Sequence, residues 1–243
     1  MRIQVLNPGS AAGTTARIAQ AARAFASAGT EILALSGEDA PASIEGPVEA
    51  ALALPGLIET VARGEAAGVA GHVIAAFDDP GLDAARALAR SPVVGIGEAA
   101  FHLASLVAGR FTVVTTHGRT APLIGHNLSR YGLAARCARV RVAEVSLISL
   151  DDPHSAARDR ISTEIDRAIR EDRAEAVVLG TAGLVDLARS LSVEHGLPVI
   201  EGVSAAVRLV ESLVSLGLST SKIGGWAAPR RTSLPGRLAG TVD

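Results

Sequence analysis

One unit occurs twice in this chain, and that repeat restricts its fold more than any other feature. Residues 73–109 read VIAAFDDPGLDAARALARSPVVGIGEAAFHLASLVAG, and residues 177–217 read VVLGTAGLVDLARSLSVEHGLPVIEGVSAAVRLVESLVSLG. Each copy runs from an apolar strand through a small-residue turn to Gly-Leu, an Asp and Ala-Arg. A helix, Pro-Val, a second strand and a second helix follow. Two copies of one unit that face each other set their equivalent turns in opposition, so a ligand belongs between them. The turn after each first strand carries Ala76 in one copy and Thr181 in the other. One offers a methyl group and the other a hydroxyl, and neither is a conventional acid or base.

Composition supports a layered α/β fold. Apolar residues make up 48% of the 243 residues but aromatics only 2%. A core built from Ala, Val, Leu and Ile suits parallel strands covered on both faces by helices. The net charge is −2, and no basic run is present, which argues against a nucleic-acid surface. Cys137 is the only cysteine, so an intramolecular disulfide and a thiolate metal cluster are excluded. Its place in a stretch expected to be extended marks it as structural. The N-terminus MRIQVLNPGS lacks the features of a signal peptide, and no apolar run approaches a membrane span of about 18 residues. The chain reads as a cytoplasmic protein.

Strand and helix patterns alternate along the chain. Strands are expected at 2–6, 30–36, 69–76, 93–96, 110–115 and 176–179, with a short one centred on Val199 and an extended stretch at 138–146. Helices are expected at 14–27, 50–66, 81–89, 99–108, 121–131, 155–171, 184–192 and 204–216. This order predicts right-handed βαβ units and two similar lobes, each a mostly parallel sheet flanked by helices. The lobes are related by a pseudo-twofold axis, with a ligand cleft between them. The first lobe is read as residues 1–100 plus 211–230, the second as 101–210, and 231–243 as a flexible tail. Ligands of such folds sit beyond the carboxyl ends of the strands. The expected walls are therefore 7–10, 75–79, 95–98, 115–117 and 180–183.

Several segments together carry a resemblance. They are Asn7-Pro8 after the first strand, Ser43-Ile44-Glu45-Gly46, Phe77-Asp78-Asp79-Pro80-Gly81-Leu82-Asp83 and Gly95-Ile96-Gly97-Glu98-Ala99-Ala100. Val113-Val114-Thr115-Thr116, Val178-Leu179-Gly180 with Ala182-Gly183, and Thr220-Ser221-Lys222 complete the series. In these segments, spread over residues 1 to about 230, the chain resembles hydantoin racemases of the aspartate/glutamate racemase superfamily. The resemblance implies two α/β lobes, a homo-oligomer and cofactor-independent racemisation of a small carbon acid. One cysteine from each lobe would flank the reacting carbon; one thiolate removes a proton and the opposite thiol returns one.

This chain departs from that pattern at its centre. The cysteine positions of the resemblance fall on Ala76 and Thr181. Gly9 stands where Asn is usual, and His117 where an apolar residue commonly follows the paired threonines. Engineered inactivation and natural divergence both account for these changes. Under either, two-thiol racemisation has lost both its proton-transfer groups. The binding reading is then a small cyclic amide or amino-acid-like carbon acid. A diverged lyase, decarboxylase or cyclic-dipeptide epimerase and a non-catalytic binding protein are the alternatives.

Other residues are weighed on chemistry. Asp78 is either a substitute base near the ligand or a cap of the helix that begins near Pro80-Gly81. Asp79 is expected to cap the helix that begins near Pro80-Gly81. His117 is either a replacement acid–base group, since histidines exchange protons near neutral pH, or a solvent-facing loop residue. Asn7, Thr115 and Thr116 are expected to offer hydrogen bonds to a ligand. Glu45, Phe77, Glu98, Ala182 and Gly183 complete the expected binding set by resemblance. His72, His102, His126, His154 and His195 show no ligand spacing, so no metal is assigned. Ser10–Thr15 lacks the lysine and spacing of a phosphate loop, and no GxGxxG follows the first strand, so no nucleotide cofactor is expected. A small-molecule ligand remains as the partner, with no nucleic acid and no membrane.

Overall fold

The most apolar runs of this chain, within 2–7, 71–74, 93–95, 111–115 and 176–180, form strands buried on both faces, the environment in which an uninterrupted Val/Ile/Leu segment is stable, while the strands at 31–36, 137–142 and 199–200 are only partly buried. In the computed structural model, residues 1–37, 39–146, 148–150 and 155–229 are described. His154 and the 231–243 tail lie outside the described residues.

Strands β1 (Arg2–Asn7), β2 (Glu31–Ser36), β3 (Gly71–Ile74) and β4 (Val93–Gly95) form one sheet in the order β2-β1-β3-β4. Strands β5 (Phe111–Thr115), β6 (Cys137–Val142), β7 (Ala176–Gly180) and β8 (Val199–Ile200) form a second in the order β6-β5-β7-β8. All pairings in both sheets are parallel. The repeat in the sequence is thus a repeat of topology. In each sheet the strand order reverses between the first and third strands, and such a reversal opens a crevice at their carboxyl ends.

Helices α1 (Ala12–Phe25), α2 (Pro47–Ala66), α3 (Leu82–Leu88) and α4 (Ile96–Val107) accompany the first sheet in sequence. They are followed by α5 (Ala121–Arg130), α6 (Ala157–Asp172), α7 (Val185–His195) and α8 (Gly202–Ser215). The third strand is shorter than its apolar pattern, which ran from 69 to 76. Ala70 and Ala75 still donate backbone hydrogen bonds to Arg2 and Leu6, at 2.8 and 2.7 Å, but the chain turns away beyond them. Helix α4 begins three residues earlier than its pattern, for a reason that lies in the site.

The two sheets share one core. Ile3, Val5 and Val73 of the first sheet and Phe111, Val113 and Val178 of the second belong to the same buried cluster, with α4 and α8 between them. Three of the four phenylalanines meet there. Phe77 stands edge-on to Phe101 at 5.4 Å, and Phe101 stacks on Phe111 at 6.1 Å. Aromatic pairs at such separations add to the burial of their area. Contact is close enough at one point that a side chain on Gly202 of α8 would meet the Ile96 carbonyl of α4 at 2.6 Å.

Candidate active site

Register sets the position of the site. Leu6 pairs with Ile74, and Thr115 pairs with Gly180, so the carboxyl ends of β1 and β3, and of β5 and β7, finish level. The turns that leave these four ends open into one cavity of about 330 Å³. Asn7, Ala76, Phe77 and Asp78 line it from the first sheet's strand ends. Thr116, His117, Thr181 and Ala182 line it from the second sheet's. Glu45, on the loop after β2, completes the part of the wall expected from sequence.

Each turn has a local cause. The Asn7 side chain accepts from the Gly9 amide at 3.0 Å through Oδ1 and donates to Thr15 Oγ1 at 2.9 Å through Nδ2, which fixes the turn into α1. The Thr120 amide and hydroxyl both donate to the His117 carbonyl, at 3.2 and 2.8 Å, and hold the turn after β5. The Ser43 hydroxyl donates to Glu45 Oε1 at 2.8 Å. Asp78 is tied down through its backbone: its carbonyl accepts from Asn127 Nδ2 of α5 at 2.8 Å.

The neighbouring carboxylates Asp78 and Asp79 stand in different surroundings. Asp79 is 2% exposed, points away from the cavity and accepts three hydrogen bonds. The Gly97 amide donates to Oδ1 at 3.0 Å, and the Glu98 amide and Tyr131 hydroxyl donate to Oδ2, both at 2.8 Å. Asp79 therefore caps α4, not the helix that directly follows it. That helix, α3, starts after Gly81 without a side-chain cap. The first amides of α4 are satisfied from eighteen residues away, so the helix can begin at Ile96 although no capping residue precedes it. Burial pushes the Asp79 carboxyl up to about 7 against the pull of its three donors. Asp78 is half-buried in the cavity wall, and burial pushes its carboxyl up to about 6. Its own amide is the only donor that opposes the shift.

Three expected site residues lie elsewhere. Glu98 pairs with Arg86, the two held as a bidentate ion pair outside the cavity. The segment 95–98 as a whole serves as the capped end of α4 and not as a wall. Thr115 sits behind the wall, where its hydroxyl donates to the Gly180 carbonyl at 3.1 Å. Gly183 turns back to α8: its amide donates to Glu201 Oε1 at 2.9 Å. Its positive φ of 78° is one that glycine adopts without strain. Cys137 lies in β6 with its sulfur 3.4 Å from the Arg139 carbonyl, away from the cavity.

The sequence reading overlooked Thr14 and Arg17 on α1, Thr120, Ile124 on α5 and Ser146, all of which line the cavity. Thr14 and Arg17 share a helix face at i, i+3 spacing directly after a strand-end turn, and that spacing was the available signal. Among the described residues no group of three or more His, Cys, Asp or Glu side chains is placed to hold a metal. No helix among them is long and apolar enough to cross a membrane.

Comparison with known proteins decides the family. The model of the Asp/Glu/Hydantoin racemase family matches residues 3–210. The chain belongs to the Asp/Glu/Hydantoin racemase family. It is 42% identical to the hydantoin racemase of Rhizobium meliloti over 230 residues, covering 95% of each chain. Among solved structures, it is 46% identical to an allantoin racemase from Klebsiella pneumoniae, with a TM-score of 0.95 over 99% of this chain and 98% of that one. An allantoin racemase from Pseudomonas fluorescens is 39% identical, with a TM-score of 0.93 over 97% and 100% of the two chains. The scaffold is therefore a racemase scaffold, two parallel four-stranded sheets flanked by helices.

Proposed function

We propose that this chain binds a small cyclic amide of the hydantoin type in the cavity between its sheets, and that it does not racemise the ligand by a two-thiol mechanism. One observation carries the reading: Ala76 and Thr181 line the same cavity from different sheets, while the single thiol of the chain lies in β6. A methyl group moves no proton. An unassisted threonine hydroxyl holds its proton at neutral pH, and a positioned acid or base contributes roughly 10² to 10⁴-fold in rate. The names of the relatives support the ligand class, since hydantoin and allantoin share one five-membered cyclic diamide ring. The lining supports it too. Phe77, Ile44 and Ile124 offer apolar surface to a ring substituent, and Asn7, Thr116 and Thr181 offer hydrogen-bonding groups to ring carbonyls and amides. The same reading has the protein acting in the cytoplasm as a homo-oligomer.

Titration with enantiopure 5-isopropylhydantoin, followed by chiral chromatography of the mixture, tests this. The ligand binds saturably, Ala76→Phe abolishes binding by filling the cavity, and the enantiomeric excess stays at that of the buffer blank. Loss of enantiomeric excess at an enzymatic rate would contradict the proposal, as would absence of binding.

A further inference from the structure

The two carboxylates beside Ala76 differ in what they are free to do. Asp79 has three donors and a structural task. Asp78 lines the cavity, and among the described residues no other side chain forms a hydrogen bond or ion pair with its carboxylate. Its turn is nonetheless fixed, because Asn127 holds the Asp78 carbonyl and the Phe77 ring packs against Phe101. A half-buried carboxylate that is rigidly mounted, lines a ligand cavity and, among the described residues, has no side-chain partner is placed to act on what enters.

We infer that Asp78 is a one-sided proton-transfer base, which exchanges the acidic carbon-bound hydrogen of the bound ring without inverting that carbon. The inference rests on the binding reading above and adds an activity to it. In the step, an Asp78 oxygen takes the proton from the ring carbon flanked by carbonyl and nitrogen. The electron pair of the broken C–H bond forms the C=C bond of an enolate, and the carbonyl π pair moves to oxygen. The protonated Asp78 trades its proton with solvent. The enolate then collapses and takes a deuteron back from Asp78 on the face from which the proton left. Asp78 belongs to the turn after β3 in the first sheet, and the corresponding turn of the second sheet presents Thr181. The side chain opposed to it there carries a hydroxyl, a poor proton donor beside the protonated Asp78 carboxyl, so return from the Asp78 side is the faster path and configuration is retained.

Among the described residues, the other titratable and charged groups that line the cavity are Arg17 on α1, Glu45 on the loop after β2 and His117 after β5. Asp78 itself is raised to about 6, which keeps it ionised at neutral pH and makes it a stronger base than an exposed carboxylate. The exchange rate therefore rises through about pH 6 and levels above it.

The whole chain is incubated with enantiopure 5-isopropylhydantoin in D₂O. Binding is measured by titration, exchange at the ring carbon by proton NMR, and configuration by chiral chromatography. Exchange above the buffer blank with unchanged configuration is expected, and at saturating ligand Asp78→Asn lowers the exchange rate at least 100-fold. If the ligand binds but no exchange occurs, the inference fails and the binding reading stands. If the ligand does not bind, the binding reading itself fails. Exchange with inversion, or an Asp78→Asn variant that exchanges at the parent rate, overturns the inference. A parent rate that is flat between pH 5 and 8 overturns it even if Asp78→Asn does not fold.

Discussion

Asp78 and Asp79 are adjacent in sequence and share a chemistry, yet their surroundings assign them different work. Asp79 is enclosed and triply hydrogen-bonded, and its ionisation still suffers from burial. Its folded-state pKa of about 7 lies above the unfolded value of 3.8, so between those values the folded protein binds the additional proton. Stability from this group is therefore complete below about pH 4 and is lost as pH rises through 7. Asp79→Asn removes that dependence. Urea titrations at pH 5 and pH 7.5 should show a smaller loss of stability across the interval in the variant than in the parent. An equal loss in both would mean that Asp79 is not the group responsible. Local sequence could not reveal this role. A carboxylate before Pro-Gly reads as a cap for the next helix, and only the folded chain brings it to Gly97 and Glu98.

At the scale of elements, the two repeats solve one problem from opposite sides. Helix α8 is capped by Glu201, which immediately precedes it: Oε1 accepts from the Val203 and Gly183 amides and Oε2 from Ser204, at 3.0, 2.9 and 2.9 Å. A carboxylate thus joins the site turn after β7 to the following helix. In the first repeat, Gly95 stands where the alignment of Pro92-Val93 with Pro198-Val199 places Glu201. A side chain built on Gly95 would fall 2.2 Å from Asp79 Oδ1. The carboxylate position is occupied there by Asp79 from the site turn, and the glycine leaves room for it. Asp79→Ala should destabilise by about 2–4 kcal/mol, combining a lost cap with an unsatisfied Tyr131 hydroxyl. Gly95→Ala should cost about 1–3 kcal/mol by crowding that carboxylate. The double variant should lose less than the sum, because the methyl group then enters space that Asp79 has left. Strict additivity in urea denaturation would refute the shared position. Most elements could be read in advance, since parallel strands and amphipathic helices print their periods directly into sequence. The strand-end rule found Asn7, Ala76, Thr116 and Thr181, whose place depends on topology alone. It failed for Thr115 and Gly183, where the backbone reaches the site but the hydrogen bonds turn inward, and for Thr14 and Arg17, which belong to a helix and not to a strand end.

At the scale of the molecule, the fold brings two equivalent turns to one cavity. Four of the six aromatic residues cluster where this opposition must be kept rigid: Phe77, Phe101, Phe111 and Tyr131 lie in contact between the sheets. Asn127 and Tyr131, both in or just after α5, reach across to the Asp78 carbonyl and the Asp79 carboxylate. The α5 region of the second half therefore supports the turn that carries Ala76. On the proposed reading, this support keeps residues 76 and 181 opposed across the cavity although neither is a cysteine. Placing cysteine at both positions tests this directly. In the Ala76→Cys, Thr181→Cys variant, enantiopure 5-isopropylhydantoin should racemise at a rate at least 100-fold above the parent protein, with each single variant far slower. A double variant that folds, binds the hydantoin and leaves its configuration untouched would contradict the opposition of residues 76 and 181 across one cavity.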